Sequence, residues 1–157
     1  MACLFVFSAA AFAQKIVHLT PQQLIDSSKA SGRPAIIQFW IPNCAAAKEI
    51  VTKYKQLQEE YGTEADFYFI GITNKDSLVS NLVNATGYNY KIYVADAAVA
   101  EDLMDRRSVF CNEVCRLLGT KEKDFITLYL DKNNTPIYIG DDLEIKPKKI
   151  KKLLKAK

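Results

Sequence analysis

The chain has 157 residues, 49% of them apolar and 25% charged, with a net charge of +3. That length suits one domain around one core, and no apolar run reaches the roughly 18 residues that a membrane-spanning helix needs. The charge is uneven: the last twelve residues, KPKKIKKLLKAK, carry seven lysines and no acid, so the remainder carries −4.

In chain order, residues 1–13 (MACLFVFSAAAFA) are short, apolar and uncharged, and end in Ala11-Phe12-Ala13. Small residues around one larger residue match a signal-peptidase site, leaving Gln14 as the new N-terminus. The reading is export, to the periplasm or out of the cell, with Cys3 lost with the leader. The missing basic stretch ahead of it points to a start further upstream. The competing reading is a buried first strand or helix. Residues 14–157 then form a single domain with three cysteines, Cys44, Cys111 and Cys115. Three is odd, so in an oxidising compartment at least one thiol stays free or pairs between molecules.

KIVHLT (15–20) reads as a first strand. Thr20-Pro21-Gln22-Gln23 starts a helix, with Thr20 as N-cap, Pro21 at N1 and Gln23 closing a capping box; Gly32 ends it. PAIIQFW (34–40) is a continuous apolar run, as in a strand buried on both faces. From Cys44 to Tyr61 the pattern is helical, with Asn43 as cap and Ile50, Val51, Tyr54, Leu57 and Tyr61 on one face. ADFYFIGIT (65–73) is a second buried strand. Asn74 or Asp76 caps a helix ending at Gly87, and 88–96 alternates as a strand or edge segment. Residues 97–118 read as helix, with a break near Asp105-Arg106-Arg107. DFITLYLD and PIYIG form a hairpin around the turn at 132–135. Pro147 opens a last helix with Ile150, Leu153 and Leu154 on one face. Helices alternating with strands imply a mixed sheet covered on both sides.

Cys44 is expected at the start of a helix, where the dipole and free backbone N–H groups favour a thiolate. The reactive reading stands beside an inert one, since free cysteine is commonly buried. Cys111 and Cys115 fall on one helix face at i, i+4. They read as part of a buried face with Val109, Val114 and Leu118, as a strained local disulfide, or as a redox partner for Cys44. The only histidine, His18, sits on a distant strand, so neither a zinc site nor a cysteine–histidine nucleophile is assembled. The basic tail reads as the solvated face of the last helix, with docking on anionic lipid or an acidic partner as the alternative. It holds no aromatic residue and nothing else suggests nucleic acid.

PAIIQFWIPNCAAAKEIVTKYKQLQEEY resembles the strand, active-site loop and long helix of thioredoxin-fold proteins, above all the exported disulfide reductases of bacterial envelopes. DFITLYLDKNNTPIYIG resembles their late strand, turn and strand, and the likeness covers about residues 15–156. The resemblance implies an α/β thioredoxin-like fold, a central mixed sheet with helices on both faces. It implies no cofactor, no metal, and a protein or peptide thiol or disulfide as partner. Cys44 takes the nucleophile position, with Trp40, Pro42, Asn43 and Lys48 around it. Two positions depart from the family: Ala47 stands where the second cysteine of Cys-x-x-Cys belongs, and Ile126 where a cis-proline faces the thiol. A lone thiolate can form a mixed disulfide but cannot release it by internal attack. A peroxidase of the peroxiredoxin type would need a hydroxyl at Ile41 and a proline at Ile37. The expectation is a monothiol redox protein, with an inactive binding module of the same fold as the alternative.

Overall fold

The computed structural model describes residues 16–155; the leader reading and Cys3 lie outside the described residues. The elements follow the expected order: β1 (Ile16–Leu19), α1 (Pro21–Ser31), β2 (Ala35–Trp40), α2 (Ala47–Tyr61), β3 (Asp66–Gly71), α3 (Asp76–Thr86), β4 (Ile92–Ala95), α4 (Leu103–Leu117), β5 (Thr127–Leu130), β6 (Pro136–Gly140) and α5 (Pro147–Leu154). No helix among them is long and apolar enough to cross a membrane.

The strands form one sheet in the order β1-β4-β3-β2-β5-β6. β1 to β4 are mutually parallel, β5 runs antiparallel to β2, and β6 runs antiparallel to β5. All six residues of β2 are buried, which explains why that stretch is apolar without alternation. Its side chains supply both cores. Ile36 and Trp40 join Val51 and Tyr54 of α2, Val79 and Val83 of α3, and Ile150 and Leu153 of α5 on one face. Ala35, Ile37 and Phe39 join Leu24 and Ile25 of α1 and Phe110 and Val114 of α4 on the other. Burying an aliphatic or aromatic side chain contributes about 1.5–3 kcal/mol each. The sheet is mixed and covered on both faces.

Helix α1 has the cap its sequence specifies: Gln23 N donates to Thr20 Oγ1, and Thr20 N donates to Gln23 Oε1 at 2.9 Å. Other boundaries differ from expectation. Segment 88–96 is an interior strand of four residues, β4, lying between β1 and β3. Neither Asn74 nor Asp76 caps α3. Asn74 Oδ1 accepts from Arg106, Asp76 is the first helical residue and pairs with His18, and Lys75 takes the cap position. Helix α4 begins at Leu103, not 97, because Asp102 caps it through Met104 N at 2.6 Å.

Nor does α4 break at Asp105-Arg106-Arg107. Arg106 is buried, and its guanidinium holds the preceding loop: Nε donates to Ala100 O at 2.7 Å, one terminal nitrogen to Glu101 O at 3.0 Å, and the other to Asn74 Oδ1 at 2.7 Å. Three neutral acceptors from two loops thus surround a buried charge. Replacing it strands acceptors that water cannot easily reach. An Arg106→Met variant is expected to lose about 2–3 kcal/mol in denaturant unfolding, with amide exchange rising first in 96–102.

Candidate functional site

Because β1 to β4 are parallel, the segments leaving their C-terminal ends gather at one edge of the sheet, the usual ligand edge of such sheets. The segment after β2 carries Cys44. Cys44 N donates to Ile41 O at 3.2 Å, and Ala47 N donates to Cys44 O at 3.1 Å, so two short turns precede the helix. The first full helical bond runs from Ile50 N to Ala46 O, and Ala46 takes the cap position without a side-chain acceptor. Helix α2 therefore starts at Ala47, later than the alanine run suggests. Asn43 is exposed and does not cap it, and Cys44 stands just outside the helix.

Cys44 is half-buried and packs against the core that contains Trp40 and Ala47. Trp40 meets Tyr54 edge-on at 5.9 Å, and Tyr54 stacks on Phe69 at 3.6 Å, so the ring beside the thiol is held from below. Burial, then Tyr88 and Cys44, hold the Tyr54 phenol well above its ordinary range, so it remains protonated next to the thiol. Pro42 is buried, Ala47 is buried and Lys48 is exposed. Ile126 precedes β5 with a trans peptide; its N–H donates to Gly140 O at 3.0 Å and its carbonyl accepts from Phe39 N at 2.9 Å.

Cys44, Trp40 and Ile126 line one groove of about 680 Å³. Sequence reasoning identified these three and missed the rest of the wall. Ile41, Met104 and Leu143 also line it, and they are 55%, 87% and 80% exposed. Exposed apolar side chains clustered in this way mark an interaction site. They come from three separate segments, so no local pattern in the chain shows them as neighbours. Charges stand at the groove's walls: Arg107 pairs with Asp124, while Lys53 bridges Glu49 and Glu144 at 3.1 and 3.2 Å.

Leu143 is held in place from inside the sheet. Gln38, the polar residue within β2, donates to Thr127 Oγ1 at 3.1 Å, and the Thr127 hydroxyl donates to Asp142 O at 2.7 Å. This ties the segment after β6 to β2 and β5.

Cys111 and Cys115 are fully buried and belong to the core on the other face of the sheet. All three described cysteines are free thiols. Cys111 Sγ donates to Phe125 O at 3.4 Å and Cys115 Sγ to Lys123 O at 3.6 Å, so both help hold the segment that leads to Ile126. Their helix face is as read, except that Val109 is 43% exposed. His18 lies in β1, 2.9 Å from Asp76 and apart from the groove.

No protein-family model matches the chain, and no curated protein does. Solved structures do. A thioredoxin-like protein in its oxidised form superposes with a TM-score of 0.56 at 14% identity, over 87% of this chain and 84% of that one. A thioredoxin-family thiol:disulfide interchange protein from Chlorobium tepidum gives 0.54 at 16%, over 82% and 83%. A secreted disulfide oxidoreductase of Mycobacterium tuberculosis gives 0.51 at 14%, over 80% and 84%. The chain has the thioredoxin fold.

In this thioredoxin fold Gly71 pairs with Trp40 across β2 and β3. A Cβ there would lie 3.2 Å from Pro42 Cγ and 3.6 Å from the Trp40 ring. Gly71→Val is expected to cost about 1–3 kcal/mol and to change the rate of Cys44 alkylation, as Pro42 is pushed outward. For Cys111, burial holds the thiol well above its ordinary value of 9.0. Around pH 9 the unfolded chain releases that proton while the folded chain keeps it. The contribution is full below about pH 8.5 and declines at higher pH by up to about 1.4 kcal/mol per unit. Unfolding free energies between pH 8 and 10 should show this slope, and Cys111→Ala should flatten it.

Proposed function

We propose that the protein is an exported thiol-disulfide exchange protein of monothiol type, with Cys44 as its nucleophile. The observation that carries this reading is the position of Cys44: half-exposed in an apolar groove beside Trp40 and Ile126, while the other two described cysteines are buried beyond the sheet. The thiol-disulfide neighbours of the same fold agree with it.

The chemistry follows from one sulfur. The Cys44 thiolate attacks one sulfur of a partner disulfide. A Cys44–partner disulfide forms, the partner's S–S bond breaks, and the second partner sulfur leaves as a thiolate that takes up a proton. Ala47 supplies no second sulfur, so resolution falls to another thiol: the partner's own, or a small external one that is oxidised in the exchange. The groove supplies the partner contact: Ile41, Met104 and Leu143 cover an apolar stretch of a protein or peptide next to its cysteine. Pro42 packs the loop onto β3, and Asn43 and Lys48 are exposed beside the thiol, where a partner can meet them. Cys111 and Cys115 act as buried supports of the Ile126 segment.

The second reading is a binding module that uses the same groove without covalent chemistry. Ala47 and Ile126, at the two positions where the fold's dithiol chemistry resides, favour it. Incubation with a cysteine-containing disulfide peptide, followed by non-reducing mass spectrometry, separates the two. The monothiol reading expects a stable adduct on Cys44, none on Cys44→Ser, and a gain of turnover in Ala47→Cys with a reductant present. An unreactive Cys44 that labels only on unfolding leaves the binding module. N-terminal sequencing of the exported chain tests the leader: Gln14 as first residue is the expected result.

A further inference from the structure

Helix α5 turns its apolar residues inward and its lysines outward. Ile150 and Leu153 are buried in the core that covers α2 and α3, and Leu154 is half-buried beside them. Lys148, Lys151, Lys152 and Lys155 stand at i, i+3, i+4 and i+7, so they form one stripe on the opposite, exposed side. Lys146 is exposed at the cap position of the same helix. None of these five makes an ion pair among the described residues. Lys149 alone is neutralised, by Asp142 and by the face of Tyr138, whose centroid is 3.5 Å from its ammonium.

This stripe works against the fold. Like charges three and four residues apart destabilise a helix, and here they occur at 148/151, 148/152, 151/155 and 152/155. Lys146 and Lys148 sit at the positive end of the helix dipole, with no acid in the first turn to offset them. A short helix that needs only Ile150 and Leu153 for packing gains nothing from such a surface. The rest of the chain carries a net charge of −4, opposite in sign to this stripe.

We propose that the outer face of α5 docks on an anionic phospholipid surface. The face has no apolar or aromatic anchor, because the helix's apolar residues are committed to the core. The described residues of its stripe are lysines, with no ring for a base to stack on and no aromatic anchor for a specific protein partner. What it fits is a plane of repeated phosphates. The contact is peripheral and electrostatic: the helix lies on the headgroups without entering the bilayer, and the acidic remainder of the chain is turned away from the surface.

Co-sedimentation of the full chain with vesicles tests this. With roughly one-third phosphatidylglycerol in phosphatidylcholine, the expected result is binding at about 20 mM salt and release by about 0.5 M. Pure phosphatidylcholine should bind nothing. The triple variant Lys148→Gln, Lys151→Gln, Lys152→Gln should lose on the order of a hundredfold in partition, with far-UV dichroism and Cys44 alkylation unchanged. Binding to neutral vesicles, or binding that survives high salt or the triple variant, would not come from this lysine face and would overturn the proposal. So would the absence of binding to the anionic vesicles at low salt. If the variant misfolds, the salt and lipid dependence of the unaltered chain decides.

Discussion

Burial of β2 on both faces is the constraint on which the rest of the structure depends. A strand that reaches both cores must sit in the middle of the sheet. Its neighbours then place the ends of four parallel strands along one edge. The chain leaves β2 at Trp40 and must turn at once, and Cys44 is four residues further on. The position of the thiol therefore follows from the strand beneath it. Gly71 and Pro42 fix how closely the turn lies on β3, and the Gln38–Thr127–Asp142 link fixes the opposite wall of the groove.

The fold was legible in the sequence because its strongest signals were local and mutually consistent. The capping box at Thr20, the apolar run of β2 with Gln38 alone within it, and the hairpin around Asn134 each specify one geometry. Two of the readings that differed, the α3 cap and the break in α4, share one cause: polar side chains recruited by distant partners. Asn74 is a good cap by type, but the buried Arg106 draws its amide oxygen away. The Asp105-Arg106-Arg107 run looks like a break, but burial of Arg106 and pairing of Arg107 with Asp124 keep it helical. Long-range pairs of this kind leave no trace in a window of neighbouring residues.

The candidate site divides in the same way. Cys44, Trp40 and Ile126 were legible because a resemblance ties them to one another. Met104 and Leu143 were not, since one opens α4 and the other lies between two acids after β6. Cys111 and Cys115 were legible as a buried pair, and only the two-faced sheet shows that they and Cys44 belong to different cores. The groove holds one sulfur on a thioredoxin fold. Its proposed chemistry is accordingly capture, with release left to a second molecule.

The outer strands carry a consequence for how other chains can attach. β1 has four residues and exposes His18. β6 begins with Pro136, which has no N–H to offer, and its pairing with β5 slips between Tyr129 and Leu130. Short, interrupted and proline-bearing margins give a foreign strand little to extend, a familiar defence against edge-to-edge aggregation. The groove can therefore lie open on one side of the molecule while the margins of the sheet resist pairing with another chain.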